Sequence, residues 1–412
     1  MCLLYPKKCH SGLGIIYYLC RPENNSCIHL TTPLSLKIAV PKETKPFERR
    51  VALTPDVVKS LQKAGFTCLI ETGAGTNSYF SDEAYQQAGA GITADAAATY
   101  AAADVVLRVN APTEADVALM KEGTILLSYL YAYTIPAVVE ALNQKKITAF
   151  SMDAVPRISR AQKMDALSSQ ANLAGYKAVL LGANALGKIF PLMMTAAGTI
   201  TPSRVLVFGV GVAGLQAIAT AKRLGAVVEA TDVRAETKEQ VESLGGRFLQ
   251  VEGGEGVKVE GGYAKEVSAE YLQKQQALIK DRIKDADIAI TTALVIGKKA
   301  PVLITEEMVK SMKTGSVIVD MAVESGGNCE LSEFGKTVVK HGVTIIGEAN
   351  IPSLLPVNAS ELYAKNISTL LIHLATKDGF KWEMDEDVTK GSLITHEGEL
   401  VHGFTKEILA KK

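Results

Sequence analysis

The chain has 412 residues, of which 47% are hydrophobic and only 6% aromatic, a length and composition suited to two domains of tightly packed α/β layers. Its 44 basic and 44 acidic residues balance, so the overall charge gives no reason to expect nucleic acid or an anionic membrane as a partner. The apolar stretches fall short of the roughly 18 uninterrupted residues that a membrane-spanning helix needs, and we expect a soluble protein.

The first 35 residues differ from the rest and are interpreted as an extension outside the fold. They contain Cys2, Cys9, Cys20 and Cys27, several basic residues, and no acidic residue before position 23. A metal site on these cysteines is the alternative, but their spacing lacks the close C-x-x-C pair typical of such sites. The basic character faintly resembles a targeting leader. We therefore predict no metal site and leave the role of this segment open.

From residue 36 onward, short apolar runs alternate with helical patterns. The runs predict strands at Lys37–Val40, Thr67–Glu71, Asp104–Val109, Ile125–Leu130 and Ile147–Met152. The patterns between them predict helices at Pro55–Lys63, Asp82–Ala88, Thr93–Ala102 and Ile135–Gln144. This alternation is typical of parallel strands with helices on both faces of a sheet.

A long helix, about Ala161–Gly182, is predicted to connect this first unit to a second one. Strands of the second unit are predicted at Val205–Phe208, Val227–Thr231, Ile288–Thr292, Ser316–Asp320 and Val343–Ile346. A later helix, about Ala359–Thr376, has no strand behind it that could extend the second sheet, so we expect it to return to the first unit.

A short hairpin, Ile394–Glu397 with Glu399–Val401, is the last predicted element. The predicted fold class is α/β, with two doubly wound Rossmann-like domains joined by the long helix. The first domain comprises residues 36–165 and 353–412, and the second, residues 166–352, binds the nucleotide.

The segment after the first strand of the second unit has the pattern of a dinucleotide-binding loop. It reads Gly209-Val-Gly211-Val212-Ala-Gly214, between an apolar strand and an Ala-rich helix. The first glycine permits a tight turn, the second lets the backbone approach a pyrophosphate, and the third lets helix and strand pack closely. The N-terminus of the helix offers free N–H groups to the phosphates. A glycine turn without a ligand is the alternative, which this context disfavours.

Asp232 ends the next strand, about twenty residues beyond the loop, where a carboxylate accepts hydrogen bonds from the adenosine ribose. The same carboxylate would repel a 2′-phosphate, which favours NAD over NADP. Val233 and Arg234 follow and complete the predicted cofactor-binding segment. Arg234 is the counter-argument, because it would attract a 2′-phosphate, and we interpret it as pairing outward.

A glycine-rich segment, residues 253–265, follows the second strand of this unit. One interpretation is a lid that closes over the bound nucleotide, with Tyr263 as its contact. A plain surface loop explains the pattern equally well.

A polar cluster precedes the long helix and contains Arg157, Gln162, Asp165 and Ser168. Asp165 and Ser168 recur with Asn172 at i, i+3 and i+7, so they share one helix face. This stripe is interpreted as the lining of a cleft beside the nucleotide. A solvated edge with an ordinary ion pair between Arg157 and Asp165 is the alternative.

The six histidines all lie in the first 35 residues or late in the chain, away from this cluster in sequence. A dehydrogenase that acts on an alcohol or amine moves a proton as well as a hydride, usually with His, Lys or a carboxylate. Hydride exchange between two nicotinamide rings needs only positioning. The sequence therefore favours, weakly, a transhydrogenation.

Four segments together resemble the NAD(H)-binding domain of proton-translocating nicotinamide nucleotide transhydrogenase. They are Ile-Ala-Val-Pro-Lys-Glu-Thr from Ile38, Glu-Arg-Arg-Val-Ala-Leu-Thr-Pro from Glu48, Arg-Ile-Ser-Arg-Ala-Gln-Lys-Met-Asp-Ala-Leu-Ser-Ser-Gln from Arg157, and the glycine loop. The resemblance runs from about Lys37 to the C-terminal hairpin. Its most specific motif is the segment that begins at Arg157.

The resemblance implies a role for each site residue. Arg157, Asp165 and Ser168 would position the nicotinamide, and Gln162 would reach toward NADP(H) held by a partner domain. Asp232 would hold the adenosine ribose. The family also implies a homodimer, docked on a membrane-spanning subunit and a separate NADP(H)-binding subunit. We expect a cytoplasmic or matrix-like location, at a membrane only through these partners.

Alanine dehydrogenase shares the fold and the opening motifs and is the main alternative. It carries a lysine in a strand ending Lys-Val-Lys-Glu-Pro, where this chain reads Arg-Val-Asn-Ala-Pro from residue 108, and a histidine where this chain has Tyr131. Its acid before Gly-Gly corresponds roughly to Glu324, and Arg50 matches its substrate-binding arginine. Without the lysine and histidine that arginine cannot complete the chemistry, so the transhydrogenase is favoured. A non-catalytic NAD-binding module is a third interpretation.

Overall fold

The computed structural model describes residues 35–251, 273–295, 297–377 and 379–411 with their side chains, and the backbone alone of residues 4–7, 16–20, 27–30, 258–260, 263–266 and 269–272. Near the start, β1 (Leu4–Lys7), β2 (Ile16–Cys20) and β3 (Cys27–Leu30) form an antiparallel sheet of their own. The side chains of the four early cysteines lie outside the described residues. That residues 1–35 stand outside the main fold stays a prediction.

The first unit is a run of short buried strands and amphipathic helices. Its strands are β4 (Lys37–Val40), β5 (Thr67–Glu71), β6 (Gly91–Thr93), β7 (Val105–Leu107), β8 (Ile125–Ser128) and β9 (Thr148–Ser151). Its helices are α1 (Pro55–Lys63), α2 (Asp82–Gln87), α3 (Ala96–Ala102), α4 (Glu114–Leu119) and α5 (Pro136–Gln144). Ser81, Asp95 and Thr113 start α2, α3 and α4, because each side chain accepts the backbone N–H three residues on.

Helix α6 (Ala166–Ala185) and the hairpin β10 (Met193–Thr195) and β11 (Gly198–Ile200) lead to the second unit. Its strands are β12 (Arg204–Phe208), β13 (Val227–Thr231), β14 (Arg247–Phe248), β15 (Lys258–Glu260), β16 (Tyr263–Glu266), β17 (Ile288–Thr291), β18 (Val317–Asp320), β19 (Lys336–Lys340) and β20 (Val343–Gly347). Its helices are α7 (Val212–Arg223), α8 (Thr237–Ser243), α9 (Ala269–Arg282) and α10 (Glu306–Ser311).

The remaining chain returns to the first unit. It forms α11 (Pro356–Leu374), β21 (Ala375–Thr376), β22 (Gly379–Phe380), α12 (Asp387–Ser392), β23 (Leu393–His396), β24 (Glu399–Leu400) and α13 (Gly403–Ala410). Strand β23 pairs with β9, and α11 buries Tyr363, Ile367 and Leu371 in the core that contains β4 and β5. The predicted return of the late helix is therefore confirmed.

Two large sheets organise these elements. Their strand orders are β24-β23-β9-β8-β7-β4-β5-β6 and β14-β13-β12-β17-β18-β20-β19. Strands β4 to β9 pair in parallel, as do the strands of the second sheet apart from its edge strand β19. This is the predicted α/β architecture. In such sheets ligands bind beyond the carboxyl ends of the strands, and the glycine loop, Asp232 and Arg157 follow the carboxyl ends of β12, β13 and β9.

Some elements differ from the prediction. The long helix begins at Ala166, because residues 159–164 form a 3₁₀ turn and Asp165 caps the helix by accepting the N–H of Ser168. Strand β6, helix α4 and helix α13 were not predicted, and each is short. The exact domain boundaries stay a prediction. Among the residues that the structure describes, no helix combines the length and apolar character needed to cross a bilayer.

Candidate nucleotide and hydride-transfer site

The glycine loop has the backbone geometry that its sequence predicts. Gly209 has φ +91°, a left-handed conformation that favours glycine. A Cβ on Gly214 would lie 1.9 Å from the carbonyl oxygen of Gly209, so helix α7 approaches the loop as closely as only glycine allows. A Cβ on Gly211 would meet nothing within 4 Å. The open space therefore lies at Gly211, beside the first N–H groups of α7, as a pyrophosphate would require.

Asp232 faces this loop and is buried. Its Oδ2 accepts the backbone N–H of Val210 at 2.6 Å, which ties the end of β13 to the turn after β12. The predicted outward orientation of Arg234 is wrong. Its Nε and Nη2 donate to the two oxygens of Asp232 at 2.9 and 2.8 Å, because the chain turns immediately after β13 and brings the two side chains together. A ribose that binds Asp232 must therefore replace part of this pair.

Thr292 and Asn328 support the loop and were not singled out from the sequence. Thr292 donates its hydroxyl to the carbonyl oxygen of Gly209 at 3.0 Å. Asn328 is buried, and its amide binds both the N–H and the carbonyl of Ala293. In the sequence, the only indication of this support was a threonine at the carboxyl end of the third predicted strand of the second unit. Thr292 and Ala293 therefore form a second wall beside the glycine loop.

The segment from Pro156 to Asp165, the site loop, follows β9 and carries three of the four predicted catalytic residues, while Ser168 lies in the first turn of α6. Arg157 and Gln162 are exposed, whereas Asp165 and Ser168 are partly buried. Asp165 accepts the backbone N–H of Ser168 at 2.9 Å and its hydroxyl at 2.6 Å. The structure thus brings Asp165 and Ser168 together and leaves Gln162 facing solvent. Their roles toward a nicotinamide stay predictions.

One histidine lies closer to the site loop than its sequence position indicates. His373, in the last turn of α11, has Nε2 3.0 Å from Oε2 of Glu386, and the other oxygen of that carboxylate lies 2.9 Å from Nη2 of Arg160 in the site loop. The contact joins residues more than 200 positions apart, so no local pattern could reveal it. His373 nevertheless reaches the loop only through Glu386.

A buried polar network surrounds Glu48, whose side chain is 0% exposed. Arg50 donates to both of its oxygens, from Nε at 2.8 Å and from Nη2 at 2.7 Å. Asn110, Asn350 and Ser353 also donate to this carboxylate, at 2.9, 3.0 and 3.0 Å. Burial alone would raise the pKa of Glu48, but the charge and hydrogen bonds of Arg50 lower it to about 2. Glu48 therefore stays ionised at neutral pH.

The polar groups that were compared with those of alanine dehydrogenase also make hydrogen bonds within the protein. The third guanidinium nitrogen of Arg50 donates to Gln170 of α6 at 2.9 Å. Asn110 also donates to Glu43, at 3.1 Å. Glu324 accepts the backbone N–H of Asn350 at 2.8 Å. Arg50 and Asn110 are therefore occupied by hydrogen bonds within the protein, and Glu324 accepts one backbone N–H.

The predicted lid contains the antiparallel pair of β15 and β16. Tyr263 begins β16, and its side chain lies outside the described residues. The role of Tyr263 and the closing of this segment stay predictions.

Comparison with known families agrees with the division into two sheets. Residues 39–174 match the model of the alanine dehydrogenase/PNT N-terminal domain, and residues 178–403 match that of the C-terminal domain. The chain belongs to the alanine dehydrogenase/PNT family. The two matches meet within α6, the helix that joins the two sheets.

Within this family, relatives of two kinds are similar to the chain. An NAD(P) transhydrogenase subunit alpha protein of Rhodospirillum rubrum is 55% identical over 377 residues, 89% of this chain and 98% of the relative. A crystal structure of transhydrogenase from Sinorhizobium meliloti has a TM-score of 0.81 at 44% identity, covering 89% of this chain and all of that one. Alanine dehydrogenase of Bacillus subtilis is 32% identical over 374 residues, 89% of this chain and 92% of the relative.

Proposed function

We propose that this chain is the NAD(H)-binding component of a proton-translocating NAD(P) transhydrogenase. It would pass a hydride between NAD(H) in its own site and NADP(H) on a partner subunit. The observation that carries the proposal is the commitment of Arg50 and Asn110 to internal hydrogen bonds. In an amino-acid dehydrogenase these groups would have to face a substrate and its proton.

The residues present fit a dinucleotide. The open space at Gly211 and the N-terminus of α7 suit a pyrophosphate, and Asp232 suits a ribose diol. When bound, the nicotinamide ring supplies or accepts the hydride. Val212, Val233 and Arg234 lie beside these contacts on the same two loops, so we assign them to the cofactor site as well.

The site loop supplies positioning. Asp165 and Ser168 form a rigid pair at the start of α6, which suits recognition of a carboxamide that both donates and accepts hydrogen bonds. Arg157 extends the polar surface on the solvent side. Gln162 is exposed and neutral, so it can approach a second coenzyme without an excess of charge. Because ring-to-ring hydride transfer moves no proton at the reacting carbons, alignment of the rings is what these residues contribute.

The partners follow from the same chemistry. The hydride acceptor would be NADP(H) on a separate subunit, and a membrane-spanning subunit would couple the exchange to protons. For the homodimer, the support is the hairpin region, where Leu192, Met193, Met194 and Ile200 are all exposed and Met194 is 79% exposed. A second copy that covers this apolar group would remove it from water. Light scattering tests this, because Met194→Asp would then yield a monomer.

Reconstitution tests the function. Adding an NADP(H)-binding transhydrogenase subunit should allow NADPH to reduce an oxidised NAD analogue, whereas the chain alone should not. Pyruvate- and ammonia-dependent oxidation of NADH by the chain alone would instead identify an alanine dehydrogenase. Binding of NADH with neither activity would leave a non-catalytic module.

A further inference from the structure

The middle of the site loop is attached to the C-terminal part of the chain. Nη2 of Arg160 lies 2.9 Å from Oε1 of Glu386 and 2.6 Å from Oδ2 of Asp387. These two acidic residues stand at the start of α12, so one guanidinium joins the loop to the first turn of that helix. The loop therefore takes its position from a segment more than 200 residues away in sequence.

Two further contacts hold the loop on either side of Arg160. Gly391 of α12 lies against Pro156, where a Cβ on the glycine would come within 3.0 Å of the proline Cδ. Asn366 of α11 donates its amide to the carbonyl oxygen of Lys163 at 2.9 Å. The loop is thus attached at its beginning, middle and end. Gln162, between the second and third attachments, stays exposed.

The acidic end of this attachment is itself well fixed. Oε2 of Glu386 accepts the backbone N–H of Thr389 at 2.8 Å and lies 3.0 Å from Nε2 of His373. Although burial acts to raise the pKa of Glu386, these hydrogen bonds lower it to about 2. Its carboxylate is therefore charged throughout the neutral range, and its second oxygen lies outside the cap and binds Arg160.

We propose that Arg160 is a positioning residue for hydride transfer: its pairing with Glu386 and Asp387 fixes the site loop so that Gln162 meets the second coenzyme in register. This inference rests on the proposed function. The pairing contributes little to the stability of the fold, because the side chains of Arg160 and Asp387 are 55% and 71% exposed, although that of Glu386 is only 18% exposed. Reacting atoms need alignment to within about 1 Å, and a displacement of that size costs about a hundredfold in rate.

The test compares four variants and one control. Arg160→Gln removes the attachment, and Arg160→Lys keeps the charge but loses the planar guanidinium. Asp387→Asn removes one negative charge of the attachment without touching the cap made by Glu386. The fourth variant combines Arg160→Gln with Asp387→Asn. Arg247→Gln is the matched control, because the exposed Arg247 pairs with Glu229, 17% exposed, on the second sheet.

We expect Arg160→Gln to slow exchange at saturating partner by about tenfold or more, with NADH affinity and melting temperature close to the wild type. Arg160→Lys should recover part of the rate, and the double variant should be no slower than Arg160→Gln alone. The control should exchange at the wild-type rate. A wild-type rate for Arg160→Gln would overturn the proposal. The proposal would also be overturned if the losses of rate from the two single substitutions multiplied in the double variant. It would be overturned as well if Arg160→Gln needed a higher concentration of the partner subunit but reached the same maximal rate.

Hydrogen–deuterium exchange separates this proposal from the proposed function. In Arg160→Gln the backbone amides of residues 157–165 should exchange faster than in the wild type, whether or not the reconstituted system transfers hydride. Unchanged protection there would contradict the positioning role. Absence of hydride exchange in the wild-type complex would instead contradict the proposed function.

Discussion

Asp232→Asn tests the assignment of the ribose site most sharply. Asparagine keeps an oxygen for the N–H of Val210, so the glycine loop retains its support. It loses the negative charge that now binds Arg234 and that would accept the two ribose hydroxyls. The variant should therefore bind NADH more weakly while the loop stays folded.

The size of the effect follows from the contacts. Replacing two charge-assisted hydrogen bonds by neutral ones costs about 2–3 kcal/mol. In the wild type the coenzyme must also displace Arg234 from part of the carboxylate. This cost is absent in the variant and reduces the loss of binding free energy by about 1 kcal/mol. The net loss of about 1–2 kcal/mol raises the Kd for NADH roughly 5- to 30-fold. Fluorescence titration with NADH measures this.

Because of Arg234, the same variant should have the opposite effect on the affinity for NADPH. Once the charge of Asp232 is removed, the guanidinium of Arg234, whose side chain is 17% exposed, is held less tightly in that pair and can bind a 2′-phosphate. NADPH affinity should therefore rise as NADH affinity falls, and Asp232→Asn combined with Arg234→Gln should lose the gain. Asp281→Asn, at an exposed position on α9, is the control. An unchanged Kd for NADH in Asp232→Asn would refute the ribose assignment.

Three further predictions concern the two sites and the Glu48 network. Gln162→Asn should leave NADH binding intact but slow exchange in the reconstituted complex; equal losses of both would make Gln162 a simple nucleotide contact. Gly211→Ala should fold normally and lose NADH binding, since its Cβ enters only the open space, whereas Gly214→Ala should also lower the melting temperature. If melting scans and titrations with NADH did not separate these two variants, the assignment of the glycine loop to the pyrophosphate would be contradicted. Because the folded pKa of Glu48 is depressed from 4.5 to about 2, its stabilising contribution is complete above pH 4.5 and is lost as pH falls toward 2, on the order of 3 kcal/mol. Urea unfolding should show about 2 kcal/mol of this loss between about pH 5 and pH 3. Glu48→Gln, which is unstable at both pH values because Arg50 stays buried without a charged partner, should show less of it.

The sequence predicted those parts of the fold that depend on local patterns. Lys37–Val40, Thr67–Glu71 and Val227–Thr231 form strands with the predicted bounds, because apolar runs of that length between turns specify a buried strand. Gly91–Thr93 was missed because three partly exposed residues at a sheet edge leave almost no periodic signal. The start of the long helix was misplaced because Asp165 acts as its cap.

The candidate site was predictable to a similar degree. The glycine loop and Asp232 follow a spacing rule, so they could be found from residue order alone. The pairing of Arg234 with Asp232 depends on a side-chain rotamer, which no sequence pattern specifies. The attachment of Arg160 to Glu386 depends on where the C-terminal segment returns, so only the folded chain reveals it.

Isotope transfer tests the central claim most directly. NADPH carrying deuterium at the reactive C4 position is supplied to the reconstituted complex with an oxidised NAD analogue in ordinary water. Direct passage from ring to ring places the deuterium in the reduced analogue, without dilution by solvent hydrogen. Loss of the label to water, or turnover by this chain alone with an amino acid and NAD, would contradict a site built to present one coenzyme to another.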